Sequence, residues 1–208
     1  MAFVGLTVSC QKETEMLPVM ASDYENFVAS DAMLILPGTT YTGDKLSDAE
    51  ISGIMHMREE EKMAHDVYAY FYEKYKVPVF NNISKSESAH SAAVLRLINN
   101  FSLTDPALTE QGVFSSAEIQ GLYDLLIAKG STLNDALATG AFIEEYDIAD
   151  LDKSIKETDK TEIIRVYTNL RRGSINHLNA FVKFLKARGV IYTPQVLTAE
   201  VFQALIRY

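Results

Sequence analysis

The chain has 208 residues, 48% of them apolar and 23% charged, with a formal net charge of −9. A chain of this length and composition can bury a core without disulfides, and its acidity argues against nucleic acid as the main partner, because phosphate contacts need clustered Lys and Arg. The single cysteine, Cys10, excludes an internal disulfide and a Cys-based zinc or iron–sulfur site, so any metal must be held by His and carboxylate side chains.

Residues 1–45 are predicted to form an N-terminal arm outside the folded domain. Proline and glycine punctuate it, LPGTTYTGD is typical of a turn, and a short helix is expected around 22–34. The opening MAFVGLTVSC resembles the tail of a bacterial lipoprotein signal, although it lacks a basic n-region. Two interpretations stay open: a cell-envelope lipoprotein anchored to the membrane through Cys10, and a frayed terminus of a cytoplasmic protein with an incidental thiol.

Residues 46–208 are predicted to form one helical domain. Ser47 and Glu50 have the spacing of a capping box, and apolar residues then recur at helical spacing until Pro78. This pattern predicts a first helix over 47–75.

The remaining elements are also predicted to be helical, since no strand pattern competes with them. They are 80–101, 115–129 closed by Gly130, from Ser131 or Thr132 to about 156, from a Thr158 or Asp159 cap to Arg188, and a short helix from about 198. The order is that of an all-α, four-helix bundle with one long crossover that holds an extra helix, plus a short C-terminal helix.

The first long helix carries three consecutive glutamates. Glu61 falls on the apolar stripe, whereas Glu59 and Glu60 are turned about 200° and 100° away from it and are expected on a solvated face. On the second long helix Glu87 and His90 are three apart, so they share a face, and His90 lies one turn before Val94.

The third and fourth long helices add acids and a second histidine. Glu144 and Asp147 lie on an apolar stripe of the third, where carboxylates are costly to bury unless paired or metal-bound; if the helix is rotated, they are rim residues. His177 lies on the apolar stripe of the fourth, and by itself it could be a hydrogen-bonded core histidine. His56 and His65 are expected at the surface.

The joint order is Glu, Glu-x-x-His, Glu and His, one group on each long helix. Di-iron carboxylate bundles use a Glu from each of two helices and a Glu-x-x-His from each of the other two. The sequence resembles this ferritin-like superfamily. Its first helix is most similar to rubrerythrin-type domains, in which the ligand Glu is followed by Ala three residues on and then by a Tyr-x-Tyr-Phe run, here Glu61, Ala64, Tyr68, Tyr70 and Phe71.

A closer resemblance is to an uncharacterised branch of that superfamily in bacteria and archaea, a domain of unknown function. The segments EEEKMAHDVY, VFNNISKSESAH, FIEEYDIADL and GSINHLNAFVKFL carry it, over roughly 46–195. The resemblance implies a dinuclear site of two iron ions, with manganese or zinc as alternatives, and these ligands: Glu61, Glu87 as bridging carboxylate, His90, Glu144, Asp147 and His177. Tyr68 would be a hydrogen-bond donor behind the ligands or a core aromatic.

One position departs from the family pattern. Ser174 stands where the second Glu-x-x-His would have its Glu, so that carboxylate is lost or replaced by Asp147.

The function that the resemblance implies is a di-iron oxidoreductase, of peroxidase or ferroxidase type, acting on peroxide, oxygen or ferrous iron. An external electron donor would serve it, since a rubredoxin-like CxxC pair is absent. The alternative is a non-catalytic envelope bundle whose metal is structural or lost; a homodimer is compatible with both.

Overall fold

The computed structural model describes residues 45–207. The predicted arm, its helix around 22–34 and Cys10 therefore lie outside the described residues, except for Lys45. Within 45–207 the chain is all-helical, with six helices and no strand: α1 Asp48–Tyr75, α2 Pro78–Asn100, α3 Ala117–Lys129, α4 Leu133–Lys156, α5 Thr161–Ala187 and α6 Ala199–Leu205. Not one of these six is long and apolar enough to cross a membrane.

The predicted capping box opens α1. The backbone N–H of Ser47 donates to Glu50 Oε2 at 2.7 Å, and the N–H of Glu50 donates to Ser47 Oγ at 3.2 Å. Lys76 caps the C-terminal end of the helix in a left-handed backbone conformation with φ 55°. Pro78 then starts α2 two residues earlier than predicted, because the missing N–H of a proline costs nothing in the first turn of a helix.

Gly130 follows the last residue of α3, as predicted. A glycine at this place usually adopts a left-handed backbone, but Gly130 does not. Its φ is −77°, which other residues adopt easily. A Cβ on Gly130 would lie 2.2 Å from the Phe71 ring, so a side chain there would push α1 away. Its carbonyl also accepts hydrogen bonds from Lys74 Nζ and Tyr75 Oη, which tie the end of α3 to the end of α1.

The start of α5 differs from the prediction that Thr158 or Asp159 caps it. The N-cap is Lys160, which makes no side-chain capping hydrogen bond. Thr158 instead donates its hydroxyl to Glu50 Oε1 at 2.6 Å and accepts from the N–H of Lys160 at 3.1 Å. The threonine is used to join the α4–α5 turn to the first turn of α1.

The four long helices pack as two pairs, α1 with α2 and α4 with α5, and α3 covers α1 and α4. Two apolar clusters fill the interior. The larger cluster includes Val67, Phe71, Phe80 and Phe181, and the smaller cluster contains Ile54, Met57, Val94, Leu97, Ile163 and Leu170. On α1, α2 and α5 the two clusters are separated by a short stretch of buried polar residues. On α4, Glu144 and Asp147 lie between Leu137 of the larger cluster and Leu151 of the smaller cluster.

Candidate metal centre

Seven polar side chains form a layer between the two apolar clusters. Each of the four long helices contributes to this layer, and every member is at most 6% exposed: Glu61, Glu87, His90, Glu144, Asp147, Ser174 and His177. Ionisable groups at this depth are costly unless they are paired or bind a metal.

Glu87 lies at the middle of the layer and faces both histidines. Its Oε2 lies 2.8 Å from Nδ1 of His90 on the same helix. Its Oε1 lies 2.8 Å from Nδ1 of His177 on α5. One carboxylate therefore spans two imidazoles, whose rings are 5.5 Å apart and nearly parallel at 28°.

A second glutamate stands behind each histidine. Glu61 Oε2 lies 3.3 Å from His90 Nδ1, and Glu144 Oε2 lies 3.5 Å from His177 Nδ1. The result is two three-residue groups that share Glu87, and within each group the possible ligand atoms lie within 4.8 Å of one another. These buried Glu and His groups could hold metal ions.

The hydrogen bonding of this layer is incomplete. Although these atoms lie close together, no partner among the described residues has hydrogen-bonding geometry toward Oε1 of Glu61, Oε1 of Glu87 or Nδ1 of either His90 or His177. Buried polar atoms normally have such a partner, and a bound cation would supply one for all four. Carboxylate and imidazole together suit iron, manganese or zinc, so the residues present fit the metal that the sequence implies.

The surrounding side chains hold the layer in place. Nε2 of His177 is hydrogen-bonded to Ser86 Oγ at 3.0 Å, which leaves Nδ1 facing the carboxylates, as in a metal site whose ligands are oriented by a second set of contacts. Tyr68 donates its hydroxyl to Glu144 Oε1 at 2.5 Å while its ring packs against Phe181. Tyr68 is thus both the donor behind a predicted ligand and a core aromatic.

Burial and the neighbouring charges shift the pKa values of the glutamates and of His177, and the two causes oppose each other. Burial raises the pKa of Glu61 to about 8 and that of Glu144 to about 7. Burial also acts on Glu87, but His177 and His90 outweigh it and hold the pKa of that carboxyl well below its usual range. The pKa of His177 is lowered by burial and raised more strongly by Glu87 and Glu144, to about 10. Without a cation the layer therefore retains protons, which metal binding would release.

Asp147 and Ser174 form a separate part of the layer. The Ser174 hydroxyl donates to Asp147 Oδ2, while Oδ1 of Asp147 has no hydrogen-bond partner among the described residues. Asp147 belongs to neither three-residue group. Burial raises its pKa, and the nearby charges of Glu61, Glu60 and Glu144 raise it further.

The expectation that Glu59 and Glu60 lie on a solvated face is wrong. Glu59 is 4% and Glu60 is 1% exposed, because α3 and α4 cover the sides of α1 that would otherwise face water.

The expectation that His56 is a plain surface residue is also incomplete: with Glu60 and Asp150 it forms a third group of ligand-type atoms within 4.8 Å. The His56–Glu60 spacing of four was the available signal, but only the fold adds Asp150.

The fold and the site define a class: an all-helical protein with buried glutamate–histidine groups that could hold metal ions. The model of the family "Uncharacterized protein domain (DUF2202)" matches residues 50–208, and the chain belongs to this family. It is 44% identical over 163 residues to the uncharacterized protein MJ0754 of Methanocaldococcus jannaschii, covering 77% of this chain and 88% of that one. A crystal structure of hypothetical protein MJ0754 is similar, with a TM-score of 0.78 and 42% identity over 81% of this chain and 97% of that chain.

Proposed function

We propose that the protein is a ferritin-like four-helix bundle that binds two metal ions, iron or alternatively manganese, and acts as an oxidoreductase on peroxide, oxygen or ferrous iron. One observation carries the proposal: the Glu87 carboxylate lies 2.8 Å from a histidine nitrogen on each side. A carboxylate with one oxygen toward each of two ligand sets is the arrangement that a bridging ligand requires.

The residues divide into two ligand sets around that bridge. Glu61 and His90 would hold one ion, and Glu144 and His177 would hold the other. Asp147 is the further acid that could approach either ion. When bound, two iron ions would donate electrons to peroxide or oxygen, or would accept electrons from ferrous iron. A turnover that consumes electrons would need an external donor.

The protein's own contribution is to keep the site dry and to hold protons. The larger apolar cluster packs on one side of the layer and the smaller cluster on the other, and each candidate ligand is at most 6% exposed, so charges in the layer interact strongly. Tyr68 donates its hydroxyl proton to Glu144 Oε1, with the two oxygens 2.5 Å apart, and so orients that carboxylate toward His177.

A second candidate is a non-catalytic bundle with a structural metal. Ser174 favours it, since this residue stands where a further carboxylate is expected and its hydroxyl donates to Asp147 Oδ2. An aspartate engaged in this way is less available as a ligand, which would leave each ion with a poorer set of donors.

Metal analysis and turnover test the proposal together. The full chain, stripped of metal and loaded with Fe²⁺ under anaerobic conditions, is expected to retain two tightly bound equivalents after desalting. Glu87→Ala, which removes the ligand common to both sets, should lose both, and His177→Ala should lose at least one. The wild type should then consume peroxide or oxygen faster than the Glu87→Ala variant.

Two controls separate ligand loss from general damage. Glu73→Ala removes an exposed glutamate of α1, and His65→Ala removes a histidine that pairs with Asp66; both should retain two equivalents. Less than one equivalent in the wild type, unchanged by the Glu87 and His177 substitutions, would end the metal proposal. Full loading without turnover would favour the structural-metal candidate.

A further inference from the structure

A third group of ligand-type side chains lies outside the centre, on α1 and α4. His56 Nε2 lies 3.1 Å from Asp150 Oδ2 and 3.4 Å from Glu60 Oε2. The His56 and Asp150 side chains are each 30% exposed, whereas that of Glu60 is only 2% exposed. The group therefore opens to solvent on one side and ends on a buried carboxylate on the other.

The buried member of this group lacks hydrogen bonds. The imidazole nitrogen of His56 is hydrogen-bonded to Asp150, and one N–H donates well to only one of two acceptors. Neither oxygen of Glu60 has a hydrogen-bond partner among the described residues. A buried carboxylate with both oxygens unsatisfied is a strong deviation from normal protein interiors, and it is directed at one imidazole nitrogen and one further carboxylate.

The group and the centre lie on successive turns of α4. Glu144, Asp147 and Asp150 are three apart, so they follow one face of the helix at a rise of about 4.5 Å for each step. Exposure increases in the same order, from Glu144 at 1% and Asp147 at 6% to the 30% exposed side chain of Asp150. On α1, Glu60 precedes Glu61 of the centre directly.

The geometry points to a third divalent-cation site formed by His56, Glu60 and Asp150, through which the cation reaches the buried centre by way of Asp147. One imidazole nitrogen and two carboxylates suit first-row ions such as Fe²⁺, Mn²⁺, Co²⁺ or Zn²⁺. Glu118, exposed on α3, contributes further negative charge near Glu60. The site itself stands independently of the centre, whereas its role in delivery rests on the proposed function.

A titration with Co²⁺ tests the site. Metal-free full-length protein is titrated without oxygen, and bound Co²⁺ is followed by visible absorption and calorimetry. The wild type should bind three equivalents, the third more weakly because its site is open to water. His56→Gln and Glu60→Gln should each bind two, while His65→Gln, a matched half-exposed histidine on the same helix, should bind three. If Glu60→Gln does not fold, His56→Gln decides alone, since its side chain is partly exposed and less critical to the core.

The rate of loading tests the delivery role. In stopped-flow mixing, His56→Gln should fill the central sites about tenfold more slowly than the wild type. The reason is that an intact site with negatively charged ligands raises the local cation concentration. An unchanged Co²⁺ count in both His56→Gln and Glu60→Gln would overturn the site, and an unchanged loading rate would overturn delivery. If Glu87→Ala leaves the count intact while His56→Gln lowers it, the proposed function fails and the third site stands.

Discussion

Glu144 and Glu145 are consecutive residues of α4, both at most 1% exposed, and their surroundings are opposite. Glu145 accepts hydrogen bonds from several groups of the C-terminal segment: from Tyr192 Oη at 2.5 Å and from the N–H groups of Gln195 at 3.1 Å, Val196 at 3.0 Å and Leu197 at 2.9 Å. Glu144 accepts from Tyr68 and otherwise faces His177.

The same division occurs on α1. Glu59 accepts hydrogen bonds from the N–H groups of Ser115 and Ser116 at the start of α3, the shorter at 2.6 Å, where the helix dipole also favours a negative charge. Glu61, two residues on, keeps one oxygen without a partner among the described residues. Burial alone therefore does not identify a ligand; the distinction is whether the chain itself satisfies the buried carboxylate.

The largest effect on stability is expected when Glu144 and Glu145 of α4 are substituted one at a time. Glu145→Gln should lower the free energy of unfolding by about 3 kcal/mol, because a charged acceptor of several buried hydrogen bonds is lost. Metal content should not change. Glu144→Gln should instead lose metal, with less than about 1 kcal/mol of change in the metal-free protein, since few hydrogen bonds depend on its charge.

Urea unfolding of metal-free protein and metal analysis of loaded protein measure both halves of that prediction. Hydrogen exchange adds a local readout, because Glu145→Gln should expose the backbone amides of 195–197 first. Equal destabilisation by the two substitutions would remove the distinction between a structural and a ligand carboxylate on α4.

A smaller effect is expected at Asp66, which anchors the α2–α3 connection. Its carboxylate accepts from Lys62 Nζ at 2.6 Å and from the N–H of Gly112 at 2.9 Å. Burial opposes ionisation, but the bonds to His65, Lys62 and Gly112 outweigh it and lower the pKa of Asp66. A carboxyl with a lowered folded pKa stabilises the protein above its unfolded pKa of about 4, and that contribution is lost as the pH falls through the folded pKa.

Asp66→Asn should therefore cost about 2 kcal/mol at neutral pH, and the difference from the wild type should shrink as the pH falls below about 4. Unfolding by urea between pH 7 and pH 3 gives the two curves. Asp105→Asn, at an exposed pair with Arg58, is the matched control and should show a smaller difference. Parallel curves for Asp66→Asn and wild type would mean that its charge does not contribute.

The smallest effect is expected at Ser174. Ser174→Ala removes the hydroxyl that donates to Asp147 and should cost about 1 kcal/mol of stability, with both central metal equivalents retained. Thermal unfolding and metal analysis measure the two quantities. Loss of one equivalent would show instead that Asp147 must be held by Ser174 to bind metal, which would extend the set of ligand carboxylates by one.

Much of the helical order could be predicted from the sequence, because caps, prolines and apolar spacing act locally. Ser47 with Glu50 and the stop before Pro78 are examples. The prediction failed at Thr158, where a residue suited to capping is used for a tertiary contact with Glu50. It failed again at Glu59 and Glu60, because periodicity on one helix does not reveal that neighbouring helices cover its other sides.

The sequence by itself determined which residue types could bind metal and that they recur on four helices. Only the tertiary structure decided how these residues pair. Glu87 faces both histidines, and Tyr68 donates a hydrogen bond to Glu144. Asp150 of α4 lies beside His56 and Glu60 of α1. The physical reason is that helical spacing sets the face on which a side chain lies, whereas the atoms it meets belong to helices that are distant in sequence and are brought near by packing alone.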